Sequence, residues 1–168
     1  MTEPVASKLD VGKGEELRPI AVLTRIATEQ GAGLPGVVWL GGYRSDMTGS
    51  KAEALCQQAG SNGQACLRFD YSGHGASGGS FRDGTISRWL EESLAAFEHY
   101  TSGPQILVGS SMGGWIALRM VQELRARGQG GRVAGLVLIA PAPDFTLELM
   151  EPELTDDQRA ALERDGYY

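Results

Sequence analysis

The five residues Gly109-Ser110-Ser111-Met112-Gly113 stand between an apolar run, Gln105-Ile106-Leu107-Val108, and the helix-like stretch Gly114-Trp115-Ile116-Ala117-Leu118. A chain that passes from strand to helix through so few residues must turn sharply, and the glycines around Ser111 mark where side chains would not fit. G-x-S-x-G in that context is the signature of a nucleophile elbow, which makes Ser111 the candidate nucleophile. A serine hydroxyl attacks poorly unless a base and donors for a developing oxyanion sit beside it. A glycine- and serine-rich turn without chemistry is the competing reading, and it leaves the strand before, the helix after and Gly114 without a common explanation.

The rest of the chain repeats the same alternation. Residues 19–28, 36–40, 64–69, 105–108 and 133–140 are apolar or β-branched runs of strand length, and residues 51–59, 86–100 and 113–127 have helical composition or spacing. Ile86, Trp89, Leu90, Leu94 and Phe97 recur as one helical face. Strands apolar on both sides, alternating with amphipathic helices, define an α/β fold with a mostly parallel sheet covered on both faces. Residues 1–15 are expected to be a flexible lead-in, residues 16–143 the core, and residues 144–168 a separate segment with a short helix over 154–164 preceded by the cap candidate Thr155. Residues 135–139 would form a long uncharged edge strand, which proteins seldom leave bare, so at least one further strand is expected beyond the chain.

Composition narrows the function. With 42% hydrophobic residues over 168 positions the chain can bury about two thirds of its unfolded surface and build one core. Its net charge of -6, with no cluster of basic residues, argues against nucleic acid as a partner. The polar first ten residues and the absence of any membrane-length apolar run lead to the expectation of a cytoplasmic protein with no membrane span. Cys56 and Cys66 carry no metal-ligand spacing and are expected to be reduced core thiols, with no metal or organic cofactor required. Nothing in the composition sets an oligomeric state.

Three segments together, Leu40-Gly41-Gly42-Tyr43-Arg44-Ser45-Asp46-Met47-Thr48-Gly49, Arg68-Phe69-Asp70-Tyr71-Ser72-Gly73-His74-Gly75-Ala76-Ser77, and residues 109–114, resemble the α/β-hydrolase fold. More narrowly they resemble the branch that contains the mitochondrial palmitoyl-protein thioesterase and acyl-glucuronide esterase and its bacterial relatives. The resemblance implies Ser111 as nucleophile, the backbone N–H of Met112 as one oxyanion donor and that of Tyr43 as the second, and a small acyl ester or thioester as substrate. It also implies that the segment after Pro143 begins a cap over the acyl pocket, and that the loop carrying His74 shapes the entrance to the site without supplying the base.

The partners of Ser111 are expected in chain order serine, acid, histidine, yet both histidines, His74 and His99, precede it. The chain is therefore expected to be a fragment, truncated before the last strands, of a serine hydrolase whose acid and histidine lie beyond residue 168. The alternative is a non-catalytic binding protein on the same scaffold. His99, near a helix end, is expected to be structural, and Asp144 a loop or cap residue rather than the acid. Asp46 and Asp70 suit turn-forming acceptors. Trp89 and Trp115 suit core packing, and Trp39 lies beside the oxyanion loop without being assigned to the site. Gly73-x-Gly75-x-x-Gly78 matches a dinucleotide fingerprint, but five further residues, Ser80 to Gly84, separate it from helical periodicity, which argues against a nucleotide site.

Overall fold

A computed structural model describes residues 2–166. Six strands form one sheet in the order β1-β2-β4-β3-β5-β6, with β1 Val5–Val11, β2 Arg18–Arg25, β3 Gly36–Leu40, β4 Cys66–Phe69, β5 Gln105–Ser110 and β6 Val133–Ile139. β3, β4, β5 and β6 run parallel, while β1 and β2 form an antiparallel hairpin added beside β4. The expected flexible lead-in is thus corrected: residues 5–11 are a strand, paired along their length with residues 18–24. Their polar character reflects an edge strand with one solvated side, which lacks the continuous apolar pattern of the inner strands.

Side-chain alternation along β3 divides the interior into two layers. Val38 and Leu40 point into a core shared with Leu67, Leu107, Trp89, Phe97, Ile116, Met120 and Leu124, which covers the sheet with α2 (Ile86–Tyr100) and α3 (Met112–Ala126). Val37 and Trp39 point the other way, onto Ala52, Cys56 and Ala59 of α1 (Ser50–Ser61). α2 starts where Thr85 accepts the Arg88 N–H at 3.1 Å, an N-cap that replaces one missing intrahelical bond. Its buried face then runs through Trp89, Leu90, Leu94 and Phe97 as the spacing requires. Beyond β6 the chain turns through a π-helical turn at Thr146–Met150 into α4 (Asp156–Asp165), whose N-cap Thr155 and Gln158 form a capping box.

Cys56 and Cys66 are bonded to each other, with Cα atoms 5.7 Å apart, which corrects the expectation of reduced thiols. The bridge ties α1 to the first residue of β4. It was not legible in the spacing, because two cysteines ten residues apart meet only once α1 folds back over the sheet. Closing so short a loop removes unfolded-chain entropy equivalent to about 2–3 kcal/mol. Cys56→Ala is therefore expected to lower the unfolding free energy in urea by that amount, and the unreduced protein to resist alkylation in denaturant. Two freely alkylated thiols in unreduced, denatured protein would remove the bridge from the account.

Parallel order places the C-terminal ends of β3, β4 and β5 together. From β3 the chain passes to β4 on one side, and from β4 it crosses back to β5 on the other side of β3, so the point where the strand order reverses, and with it the expected crevice, lies between the loops after β3 and β5. In open α/β sheets that crevice is where ligands bind.

Candidate active site

Ser111 occupies the turn between β5 and α3 with φ 53° and ψ -120°, a left-handed conformation that is costly for a residue with a Cβ. The surroundings hold it there. Its N–H donates to the Ile139 carbonyl at 3.0 Å, and its own carbonyl accepts from Gly114 N–H at 2.9 Å and Ala142 N–H at 3.2 Å. The end of β6 therefore braces the elbow. A Cβ on Gly109 would overlap the Gly113 carbonyl, and one on Gly113 would overlap the carbonyl of Leu40, so the motif glycines allow a backbone approach that no other residue permits. Ser111 is half-buried, while Met112 behind it is fully buried.

Met112 is the first residue of α3 and so has no helical carbonyl within reach of its N–H, which leaves that amide at the positive end of the helix. The loop after β3 crosses the elbow directly: a Cβ placed on Gly42 would sit 3.4 Å from Ser111 Cβ and 3.3 Å from the Ser110 carbonyl. Tyr43 follows on this loop, its exposed ring edge-on to Phe81 at 5.1 Å and tilted on Phe145 at 5.6 Å. The expected nucleophile and the two residues expected to donate backbone N–H groups thus lie on the two loops that line the crevice.

A buried polar network fixes the loop after β3. Asp70, at the end of β4, accepts Met47 N–H at 2.6 Å and Ala76 N–H at 2.8 Å, joining the loops after β3 and β4. This matches the turn-forming role expected of it. Tyr71 donates to the Gly41 carbonyl at 3.3 Å, and its phenol is pushed far above the ordinary tyrosine range, first by complete burial and second by the negative charge of Glu92. It stays a neutral donor. Asp46 is held below the usual carboxylate range chiefly by the Thr48 hydroxyl and then the Thr48 N–H, and it shapes its own turn.

His74 is buried, with Tyr71, Phe81 and Trp89 rings 5.1–5.6 Å away. Its Nε2 accepts the Arg44 N–H at 3.3 Å and its Nδ1 lies 3.2 Å from the Ser72 carbonyl, so both ring nitrogens are engaged away from Ser111. His99 sits at the opposite end of the sheet, beside the start of β5, among the walls of a cavity of about 580 Å³. Asp144 is exposed, and its carbonyl accepts Glu148 N–H at 2.8 Å at the start of the π-helical turn. Trp39 is packed in the layer beneath α1. Trp89 belongs to the core and donates to the Ser72 carbonyl at 3.2 Å, and Trp115 is half-buried against Phe145. The glycines at 73, 75 and 78 close a loop on themselves, with Gly73 N–H on the Gly78 carbonyl at 2.9 Å, and α2 begins eight residues after Gly78. Among the described residues no helix starts within those glycines, as a dinucleotide site would need.

Sequence reasoning missed a buried ion cluster behind the site. Glu92 of α2 is inaccessible to solvent, receives Arg18 Nε at 2.7 Å, and accepts the Ser72 N–H at 2.9 Å with its other oxygen. Arg18 also reaches Glu91 at 2.5 Å. The only available sign was a Glu on the apolar face of α2, one residue from the partly exposed stripe.

Elbow, crevice and sheet order define a protein of the α/β-hydrolase class. The chain belongs to the alpha/beta hydrolase family, whose sequence pattern is matched by residues 31–168. It is 38% identical over 134 residues to the mitochondrial palmitoyl-protein thioesterase ABHD10 of Homo sapiens, covering 80% of this chain and 42% of that protein. With the corresponding Bos taurus protein it shares 43% identity over 110 residues, 66% of this chain and 34% of the relative. Among solved structures, a putative hydrolase from Agrobacterium vitis S4 superimposes with a TM-score of 0.90 at 54% identity, over 99% of this chain and 64% of that one. The mouse alpha/beta hydrolase domain-containing protein 10 does so at 0.74 and 34%, over 96% and 60%. The chain therefore spans less than half the length of these curated relatives. The cytoplasmic setting expected from the sequence is corrected by the same comparison, since these relatives are named as mitochondrial. The polar character of the first ten residues carries no information about organelle.

Proposed function

We propose that this chain is the nucleophile-bearing part of a serine hydrolase that cleaves carboxylic esters or thioesters through an acyl-Ser111 intermediate. The observation that carries the reading is the left-handed conformation of Ser111, held between the end of β6 and the start of α3. Backbone strain retained at a half-buried serine in a strand-to-helix turn supports a functional position. Ser111 Oγ adds to the acyl carbon while a base takes its proton, and the carbonyl oxygen becomes an oxyanion received by the Met112 and Tyr43 N–H groups. The leaving alcohol or thiol departs with a proton from the same base, and water then hydrolyses the acyl-serine by the reverse sequence. Both ring nitrogens of His74 are already committed, so the base and its acid come from a part of the protein outside this chain. The names of the relatives, as palmitoyl-protein thioesterases, support the thioester arm.

The test is intact-mass analysis of the full-length protein after exposure to a fluorophosphonate. A single adduct, mapped by peptide digestion to Ser111, is expected. A natively folded protein that takes no adduct would replace this reading with that of a binding protein on a hydrolase scaffold.

A further inference from the structure

Next to Tyr43 the loop after β3 carries a second residue in the left-handed region, Arg44, with φ 56°. Its amide is pinned by His74 Nε2, so the backbone cannot relax without releasing that bond. The consequence is a fixed Cα–Cβ direction for Arg44. The guanidinium carbon lies 5.2 Å from the Phe81 ring centre and 5.5 Å from that of Tyr43, over both rings, and Arg44 lines a cavity of about 670 Å³ with them. Trp89, Met150 and Leu162 form apolar walls of the same cavity, and Arg82 also lines it.

Among the described residues no carboxylate lies within ion-pair distance of Arg44, in a protein with six more acidic than basic side chains. Asp46, its nearest acid along the chain, has one carboxylate oxygen occupied by the N–H and hydroxyl of Thr48. A guanidinium stacked on aromatic faces keeps its in-plane N–H groups free for planar, two-point recognition of an oxyanion. A cavity with apolar walls and that fork in its lining suits a ligand having a hydrocarbon part and a terminal carboxylate or phosphate.

We infer that Arg44 is a specificity residue that binds an anionic group, carboxylate or phosphate, on the ligand, so that the protein selects charged esters or thioesters over neutral ones. Describing the ligand as a substrate rests on the serine-hydrolase reading above; the binding preference does not, and the test is chosen accordingly. Titration calorimetry on the full-length protein compares coenzyme A with pantetheine, a phosphate-bearing thiol against its neutral core, and monomethyl glutarate with dimethyl glutarate for the carboxylate. In at least one pair the anionic member is expected to bind about 10- to 100-fold more tightly, the range of a charge-assisted two-point contact. Arg44→Gln is expected to collapse that ratio to within about two-fold of unity, and Arg44→Lys to restore only part of it, since an ammonium lacks the planar fork. The pair that responds identifies the source of the oxyanion. Equal binding within both pairs, or a ratio that survives Arg44→Gln, overturns the inference. Because no turnover is required, selectivity found in a protein that fails to react with a fluorophosphonate would sink the hydrolase reading alone.

Discussion

Replacing Ser111 by alanine in the full-length protein will lower kcat for a simple acyl ester by about 10⁶-fold, with KM changed only slightly. Removing the nucleophile of a triad costs nearly as much as removing the whole triad, because its members act as one unit. What remains, about 10³- to 10⁴-fold over water, comes from binding and the oxyanion donors. The donors proposed above are backbone groups on Met112 and Tyr43, and the substitution leaves their scaffolds untouched: the bonds that set the elbow, to Ile139, Gly114 and Ala142, are all made by main-chain atoms. Steady-state kinetics of wild type and variant, with circular dichroism as a check on folding, reads the result. A loss smaller than about 10²-fold would mean that Ser111 is not the attacking group. The same reasoning expects little turnover from the 168-residue chain alone, since both of its histidines point their chemistry elsewhere: His74 at Arg44 and Ser72, His99 at the far end of the sheet.

Much of this arrangement could be read from local pattern. The strand-to-helix turn at Ser111, the parallel strands β3 to β6 and the helix from Ile86 to Tyr100 follow from apolar runs and 3.6-residue spacing, which are properties of neighbouring residues. The hairpin partner β1 could not be read this way, because an edge strand with one wet face has no apolar run to betray it. Its seven pairs with β2 depend on a turn near Gly12 and Gly14, where positive φ values reverse the chain. The disulfide and the Arg18–Glu92 pair join residues whose proximity exists only after the helices dock, so no spacing announces them. At the site, glycines revealed where loops must approach one another. They did not reveal that His74 would lock Arg44 rather than serve Ser111, since that depends on which way a buried ring is turned.

Glu92 carries the second large expectation, on stability. Its carboxylate lies in the core between α2 and the loop after β4, and it satisfies two groups at once: the Arg18 guanidinium, whose side chain is 5% exposed, and the Ser72 N–H. Glu92→Ala leaves a buried cation with the solvent-facing Glu91 as its one remaining charged partner and the Glu16 carbonyl, 2.8 Å from its Nη1, as its remaining neutral acceptor, and it leaves the buried Ser72 amide with none. Breaking a buried pair from one side costs about 3–5 kcal/mol, well above the value of a surface ion pair, because the stranded charge keeps its desolvation penalty. For a chain of this size the melting temperature should fall by roughly 6–20 °C, at 2–4 °C per kcal/mol. The double variant Arg18→Met with Glu92→Met should recover a large part of the loss, since two apolar side chains of similar volume leave no charge unpaired. Urea unfolding of the two single variants and the double variant forms a closed cycle that measures the coupling directly. If Glu92→Ala costs less than about 1 kcal/mol, the pair is not the buried contact described. The effect should also reach the site: Ser72 holds the His74 ring through its carbonyl, and His74 holds Arg44, so loss of the Glu92 anchor loosens the loop that carries Tyr43 over Ser111.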